Sequence, residues 1–313
     1  MIRKFLTLAL CLFLIVGYAC AETSAVRVAA LKGPTAMGMV EMMRDKADTY
    51  EFTIAAAADE ITPSLVQGNL DIAAVPANLA AVLYNNTSGK VRVLAVNTLG
   101  VLYIVERGEA IQSVEDLRGK TLYTAGKGAT PEYALRTILT ANGIDPDNDV
   151  TIEFKSEHAE CLSALLQDAD AVAMLPQPFA TVAQSKAEDM RIALDLNAEW
   201  SKVIPDSALI TGVVVARADF IDENPEAVEA FMADYEASVN FTLENTADAA
   251  ALIGEYDIFE AAVAEKALPY CNITFIAGEE MKEKLGGYLN TLYEQNPEAV
   301  GGSLPDDSFY YQK

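Results

Sequence analysis

Histidine and cysteine are scarce in this sequence, and the shortage limits the chemistry that the chain can carry. The 313 residues include one histidine, His158, and four cysteines. Cys11 and Cys20 fall within the first 21 residues, which leaves Cys161 and Cys271 in the rest of the chain. A structural zinc site takes about four Cys or His ligands, often in Cys-x-x-Cys pairs, and no such pair occurs. The sequence therefore predicts no metal site and no cofactor.

The two later cysteines allow two interpretations. An oxidising compartment would permit a disulfide between Cys161 and Cys271. A bridge requires their Cα atoms to lie within about 7 Å, which a sequence does not reveal. We favour two separate buried thiols.

Long apolar runs are absent, and the longest one lies at the N-terminus. Arg3 and Lys4 precede an apolar run over residues 5–16, and small residues up to Ala21 precede Glu22. This order is typical of a secretory signal peptide over residues 1–21, and the run is shorter than the about 20 residues that span a bilayer. The sequence predicts an extracytoplasmic protein that begins at Glu22. An uncleaved anchor and a lipid-modified Cys20 are the alternatives.

Basic residues are also few. The chain has 22 Lys and Arg against 46 Asp and Glu, a formal net charge of −24. A protein this acidic repels nucleic acid and anionic membrane surfaces. Apolar residues make up 51% of the chain, so composition excludes a disordered protein.

Short apolar strands alternate with helical segments from residue 25 onward. A first series has predicted strands at 26–31, 50–57, 71–75 and 91–97, and a second has them at 121–124, 150–154, 171–175 and 192–196. Such alternation predicts an α/β fold with two mostly parallel sheets flanked by helices.

The order of the elements predicts two lobes. After a last strand at 211–216, only helices are predicted, and they must pack on the first series because they have no sheet of their own. Lobe I would then comprise residues 25–98 and 213–313, and lobe II residues 101–210. The chain would cross between them near 98–100 and 211–212, and two crossings permit hinge closure.

Loops at the carboxyl ends of the strands are the predicted ligand site, because open α/β sheets bind ligands there. Glycines permit close approach of the backbone, Thr35 and Thr130 are predicted helix N-caps, and Asn78 and Gln177 offer both donors and acceptors. The predicted ligand-binding residues are Lys32, Gly33, Thr35, Met37, Asn78, Thr98, Gly126, Lys127, Gly128, Thr130, Glu157, His158, Gln177 and Thr211.

Catalytic and nucleotide-binding motifs are missing from these loops. The segment Gly126-Lys127-Gly128 lacks the later glycine of a dinucleotide fingerprint, and no P-loop occurs. A Ser-His-Asp triad would have to use His158, and no Gly-x-Ser-x-Gly elbow presents a nucleophile. The sequence predicts no catalytic residues.

Several segments together resemble the substrate-binding proteins of ABC importers for taurine, alkanesulfonates, nitrate and thiamine-precursor pyrimidines. They are residues 26–35 (VRVAALKGPT), residues 114–120 (VEDLRGK), the GKGAT segment 126–130 and residues 174–179 (MLPQPF). The resemblance covers almost the whole chain after the signal. It implies the type II periplasmic binding protein fold, a small-molecule solute between the lobes, an ABC permease as partner, a monomer and no catalysis.

The predicted cleft loops depart from that family in their charges. They carry no arginine, so a bidentate fork on a sulfonate or carboxylate is not evident, although Lys32 and Lys127 each bring one charge. Glu132 and Glu157 would favour an amine or amidine-like edge, and the nearest aromatic candidates are Tyr133 and Phe179. Two alternatives stay open beside import: an enzyme of pyrimidine or menaquinone biosynthesis on the same scaffold, and a module that senses a ligand for a receptor.

Overall fold

The computed structural model describes residues 25–205 and 207–312. The predicted signal peptide, its cleavage after Ala21 and the cysteines Cys11 and Cys20 lie outside the described residues. The strands within them are β1 (Val26–Leu31), β2 (Tyr50–Ala55), β3 (Ile72–Pro76), β4 (Val91–Leu99), β5 (Leu102–Arg107), β6 (Thr121–Thr124), β7 (Thr151–Phe154), β8 (Val172–Pro176), β9 (Met190–Asp195), β10 (Ile210–Arg217) and β11 (Ile273–Ile276).

The strands form two sheets, each covered by helices. The first sheet has the order β11-β4-β10-β3-β1-β2, and the second has the order β7-β6-β8-β5-β9. The central strands β3 and β8 are apolar almost throughout, because helices cover them on both faces. We call the part built on the six-stranded sheet the first lobe and the part built on the five-stranded sheet the second lobe. The predicted two-lobed α/β fold is confirmed.

The sheets are mixed, which corrects the prediction that they are mostly parallel. In the first sheet β10 is antiparallel to both β3 and β4, and in the second β5 is antiparallel to both β8 and β9. The chain enters the second sheet through β5 and returns to the first sheet through β10. Each of these strands starts at the sheet edge where its parallel neighbours end, so it runs antiparallel to them.

Helices fill the connections and form most of the C-terminal part. They are α1 (Pro34–Met37), α2 (Val40–Asp45), α3 (Ala58–Val66), α4 (Ala77–Asn86), α5 (Thr130–Ala141), α6 (His158–Gln167), α7 (Phe179–Gln184), α8 (Leu196–Val203), α9 (Ala218–Glu223), α10 (Pro225–Glu244), α11 (Thr246–Glu255), α12 (Ala261–Ala267) and α13 (Gly278–Gln295). None of the helices in the described ranges is long and apolar enough to cross a membrane.

The helical segment after β1 is divided into α1 and α2 at Gly38. A Cβ placed on Gly38 would lie 3.1 Å from Ile273 Cγ2 and 3.2 Å from Val239 Cγ2. Glycine therefore lets this turn lie directly against β11 and α10.

One apolar cluster is continuous across both lobes. It joins Val75 of β3 to Leu135 of α5 and Leu285 of α13, all of them buried. The C-terminal helix α13 thus packs on the second lobe as well as on the first sheet. The two lobes share a core on this side of the molecule.

The two later cysteines are buried and free. Cys161 belongs to an apolar cluster of the second lobe, and Cys271 belongs to one of the first. The interpretation of two separate buried thiols is confirmed.

Candidate functional site

The candidate site is the cleft where the carboxyl edges of the two sheets meet. Gly212 near the start of β10 pairs with Pro76 at the end of β3, and Leu102 at the start of β5 pairs with Pro176 at the end of β8. Both connections between the sheets therefore lie at the edges where the parallel strands end. The loops that follow β1, β3, β6, β7 and β8 border the same cleft.

The loop after β1 places Gly33 at the start of α1. Gly33 is buried, has a φ of 117°, and is the N-cap of the helix. The prediction that Thr35 caps this helix is wrong, because Thr35 lies inside α1 and its hydroxyl donates to the carbonyl of Leu31, 2.9 Å away. The φ of Gly33 explains the difference, since the left-handed region turns the chain into the helix two residues earlier.

Met37 does not reach the cleft. Its side chain is fully buried in the apolar cluster beneath β1, with its sulfur 3.9 Å from Cys271 Sγ. The prediction of Met37 as a ligand contact is therefore wrong. The turn at Gly38 lies against α10 and β11, so Met37, the last residue of α1, points into the core.

Lys32 stands at the rim of the cleft and has a partner. Its ammonium group lies 2.8 Å from a carboxylate oxygen of Asp257, in the turn after α11. Both side chains are largely exposed to water, so this ion pair contributes little to stability. The pair nevertheless gives the Lys32 ammonium group a carboxylate partner at the rim of the cleft.

The loop after β6 contains both predicted glycines and a lysine. Gly126 and Gly128 have φ values of 82° and 73°, in the left-handed region that favours glycine. The amide of Gly128 donates to Glu132 Oε2, 2.7 Å away. Lys127 lies over the ring of Phe154, with its nitrogen 5.7 Å from the ring centre.

Thr130 connects the lobes and does not cap α5, whose N-cap is Ala129. The Thr130 hydroxyl donates to Asn78 Oδ1 of α4, 3.1 Å away, and accepts from the hydroxyl of Tyr288 at 3.1 Å. Asn78 also donates to the carbonyl of Ala299. Two residues predicted to bind the ligand thus bind each other where the lobes meet, and both are buried.

Thr98 and Thr211 belong to the paired strands beside the first connection. The Thr98 hydroxyl donates to Asn97 Oδ1, 3.1 Å away, and the Thr211 hydroxyl donates to the carbonyl of Leu99 at 2.5 Å. Residues 211–212, predicted to cross between lobes, lie within β10; the segment between the sheets is 196–209 and contains α8. A Cβ on Gly212 would lie 2.5 Å from Asn97 Oδ1, so glycine is required where these strands approach.

Gln177 and His158 carry buried nitrogens without partners at the end of the second sheet. Gln177 follows β8 and is 1% exposed; its Oε1 accepts from Thr181, while its Nε2 has no hydrogen-bond partner. His158 opens α6, its Nδ1 is buried without a partner, and burial lowers its pKa to about 4. An unpartnered buried donor costs about 1–3 kcal/mol, so these atoms are suited to a bound molecule.

Aromatic rings from both lobes lie beside these nitrogens. The ring of Phe179 lies 5.6 Å from that of His158 and 5.9 Å from that of Phe259, which belongs to the first lobe. Both phenylalanines are only half-buried. Glu157, the N-cap of α6, is exposed beside them, and its carboxylate makes no capping hydrogen bond.

Three residues beside the cleft are not among the ligand-binding residues predicted from the sequence. Asn97 follows the same strand-end rule as Thr98, and it donates to the carbonyl of Thr35. Its position at the end of β4 could have identified it. Phe259 lies in a turn between two helices, where no strand-end rule applies, and Tyr103 reaches the first lobe by donating to the carbonyl of Tyr270, 2.7 Å away.

Two surface cavities are each lined by residues of a single lobe. One of about 330 Å³ is lined by Gly68, Lys90 and Arg217, and another of about 420 Å³ by Lys155, Ser163 and Gln167. Within residues 25–205 and 207–312, no group of three or more His, Cys, Asp or Glu is placed to hold a metal ion.

Comparisons with known proteins agree with this geometry. A protein of Brucella abortus strain 2308 that is named a binding protein is 25% identical over 252 residues, which are 78% of this chain and 75% of the relative. The crystal structure of an ABC transporter protein from Parabacteroides distasonis is similar with a TM-score of 0.79 and 24% identity, over 92% of this chain and 99% of the other. The aliphatic sulphonate binding protein SsuA from Escherichia coli is similar with a TM-score of 0.71 and 14% identity, over 91% and 95%.

A family model gives the assignment. The model for the phosphonate ABC transporter periplasmic substrate-binding protein matches residues 38–266, which is more than half of the chain. The chain belongs to this family of extracytoplasmic proteins, which bind a small solute for an ABC importer.

Proposed function

We propose that the cleft between the lobes binds one small organic solute and presents it unchanged to an ABC permease. The observation that carries the proposal is the pair of buried, unpartnered nitrogens, Gln177 Nε2 and His158 Nδ1, at the carboxyl edge of the second sheet. That edge is where open α/β sheets bind ligands. A solute that bonded to both nitrogens would remove their desolvation cost and gain affinity from it.

The contact set that we propose is smaller than the predicted one. The proposed contacts that border the cleft are Gly33, Lys32 and Thr211 from the first lobe, and Gly126, Lys127, Gly128, Glu157, His158 and Gln177 from the second. Asn78 and Thr130 would form its floor, since they are buried against each other. Phe179 and Phe259 are added because their half-buried rings meet across the cleft.

We propose lobe boundaries that follow the sheets, with lobe II over residues 102–195 and the rest of the described chain in lobe I. The shared core at α5 and α13 would serve as the fixed side of the hinge. The opposite side, where Phe179 contacts Phe259, would open to admit the solute. Contacts to both lobes exist only in the closed state, so ligand should shift the population toward it.

Small-angle X-ray scattering tests the hinge. The radius of gyration should fall when a saturating solute is added, because the lobes approach. An unchanged radius at saturation would show that the lobes do not close on the solute.

We further propose that the protein has no enzymatic activity. A pKa of about 4 makes His158 a weak base at neutral pH, and burial raises the pKa of the thiols of Cys161 and Cys271 to about 11 and about 12. Groups with these values are poorly suited to general base or nucleophilic catalysis. Mass spectrometry of the solute recovered after long incubation should find it intact; a new product would favour the enzyme alternative.

The mature protein is proposed to be an exported monomer that begins at Glu22 and does not bind nucleic acid. The N-terminal pattern and the net charge of −24 support this. Intact-mass measurement of the protein exported by its host should give the mass of residues 22–313. A mass that retains residues 1–21, or one with lipid on Cys20, would contradict the cleavage site.

The solute-binding proposal itself is tested with a bacterial metabolite extract in a thermal-shift assay. A solute at about a hundredfold excess over its Kd stabilises the native state by about 2.7 kcal/mol. At least one fraction of the extract should raise the melting temperature. If no fraction does, the cleft does not bind a soluble metabolite.

A further inference from the structure

Two helix starts along the cleft, those of α5 and α6 in the second lobe, carry a glutamate in their first turn. Free N–H groups at a helix start are ready sites for an anion. Here the loop before each helix donates a backbone N–H to that glutamate, so a carboxylate of the chain itself is held at the helix start. The two pairs are Gly128–Glu132 at 2.7 Å and Ser156–Glu160 at 3.0 Å.

The basic side chains beside the cleft loops have partners as well. An anionic solute would compete with these partners and would meet Glu132, Glu157 and Glu160. The engaged groups are Lys32 with Asp257 at 2.8 Å, Lys127 over Phe154 at 5.7 Å, Arg136 with Glu132 and Asp147 at 2.9 Å each, and Lys155 with Glu153 at 2.9 Å.

The two buried nitrogens left without hydrogen-bond partners at this edge of the cleft are uncharged. Gln177 Nε2 is a hydrogen-bond donor on a side chain that is 1% exposed, and Oε1 of the same amide is fixed by the backbone and hydroxyl of Thr181. That arrangement settles which end of the amide is free, because Oε1 accepts both bonds. The nearby ring nitrogen of His158 belongs to an imidazole that is neutral at pH 7.

The rings of Phe179 and Phe259 complete the set. Their centres lie 5.9 Å apart at an interplanar angle of 83°, and each belongs to a different lobe. Aromatic faces of this kind pack against a flat ring with favourable geometry. A flat solute placed there would contact both lobes at once.

We propose that the cleft selects a solute with no net negative charge that carries a flat ring and an acceptor for Gln177 Nε2. This inference rests on the proposed solute-binding role. It differs from the phosphonate in the name of the matching family. The carboxylates of Glu132 and Glu160 at the helix starts would repel an oxyanion in the second lobe.

The test separates a bacterial metabolite extract on strong anion and cation exchangers at neutral pH, and each fraction is added to the protein in the thermal-shift assay. The stabilising compound should be in the unretained or the cation-retained fraction. Stabilisation by the anion-retained fraction alone would overturn the charge selection and leave the solute-binding role intact. Stabilisation by no fraction would instead contradict that role.

A matched set of phenyl compounds tests how the charge of the solute affects binding when the ring is the same. Benzamide and benzamidine should raise the melting temperature more than benzenesulfonate and phenylphosphonate at equal concentration. The opposite order would overturn the proposal.

Two variants test the contact to Gln177 with the compound that the extract yields. Gln177→Met removes the free donor and the bonds to Thr181, while Thr181→Ala removes only the hydroxyl bond to Gln177. Calorimetry should show a loss of affinity of about tenfold or more for Gln177→Met and no more than about twofold for Thr181→Ala. Equal losses in the two variants would contradict a direct contact. Should Gln177→Met fail to fold, Gln177→Glu, which keeps an oxygen for Thr181 but has no amide donor, is measured in its place, and the same loss is expected.

Discussion

The hydroxyl of Thr130 in the second lobe donates a hydrogen bond to Asn78 Oδ1 in the first lobe, 3.1 Å away. Tyr288 of α13 donates to the same hydroxyl, also at 3.1 Å. The three side chains form a buried polar link within the core that the two lobes share. The link therefore ties the second lobe to the first on this side of the molecule.

Thr130→Val should destabilise the protein, because valine has the shape of threonine but no hydroxyl. Asn78 Oδ1 and the Tyr288 hydroxyl would stay buried with one partner fewer, which costs about 1–3 kcal/mol of unfolding free energy. Urea denaturation measures the loss. Thr62→Val is the control, since its hydroxyl bonds only the carbonyl of Ala58 within α3. A loss no larger than that of the control would show that the link contributes nothing to stability.

Gly128→Ala should lower both stability and affinity for the solute, whereas Gly143→Ala should lower stability alone. The two glycines have φ values of 73° and 72°, and a Cβ on either would meet no atom within 4 Å. Each alanine should therefore cost about 1–2 kcal/mol for the left-handed conformation. Only Gly128 borders the cleft, so calorimetry should find weaker binding in that variant. Equal affinities in the two variants would place the solute away from the loop after β6.

The strands were the most predictable part of the fold. Runs such as Ile72–Pro76 are apolar because both faces are covered, and that pattern is visible in the sequence. The four-residue strand β11 was missed, since it pairs irregularly with β4 and lies among helical segments. Helix α8 was also missed, although Asp195 caps it by accepting from the amide of Asn197, 2.9 Å away.

The candidate site was predictable by position but not by contact. The strand-end rule located His158 and Gln177, whose unpartnered nitrogens now carry the functional proposal. The same rule located Thr130 without revealing that its hydroxyl bonds to Asn78, because that contact depends on how the lobes pack. Met37 was misplaced for a related reason: a side chain one turn from a cleft loop points inward or outward according to the break at Gly38.

Both thiols should resist modification in the native protein. Burial raises the pKa of Cys161 to about 11 and that of Cys271 to about 12, and the thiolate is the reactive form. An aromatic disulfide reagent at neutral pH should react with both thiols in urea and with neither over the same time in buffer. Because Cys161 and Cys271 lie in different lobes, rapid reaction of one thiol in buffer would identify a lobe that opens locally.

The stability of the protein should depend on pH through its one histidine. Burial lowers the pKa of His158 from 6.5 to about 4 in the folded chain. Between about pH 6.5 and about pH 4 the unfolded chain takes up a proton on His158 that the folded chain does not. The contribution of His158 to the unfolding free energy is therefore fully present above about pH 6.5 and is lost as the pH falls toward 4. Each unit of pKa difference corresponds to about 1.4 kcal/mol, so the loss should reach up to about 3 kcal/mol.

His158→Gln isolates this contribution, because the variant has no histidine and every carboxylate stays in place. Urea denaturation of both proteins is carried out from neutral pH down to about pH 4. The unfolding free energy of the parent minus that of the variant should be constant above about pH 6.5 and should decrease below it, by about 1.4 kcal/mol for each pH unit at most. A difference that stays constant over the whole range would mean that the imidazole is protonated as readily in the folded chain as in the unfolded one. The assignment of a neutral, unpartnered His158 ring to the cleft would then be wrong.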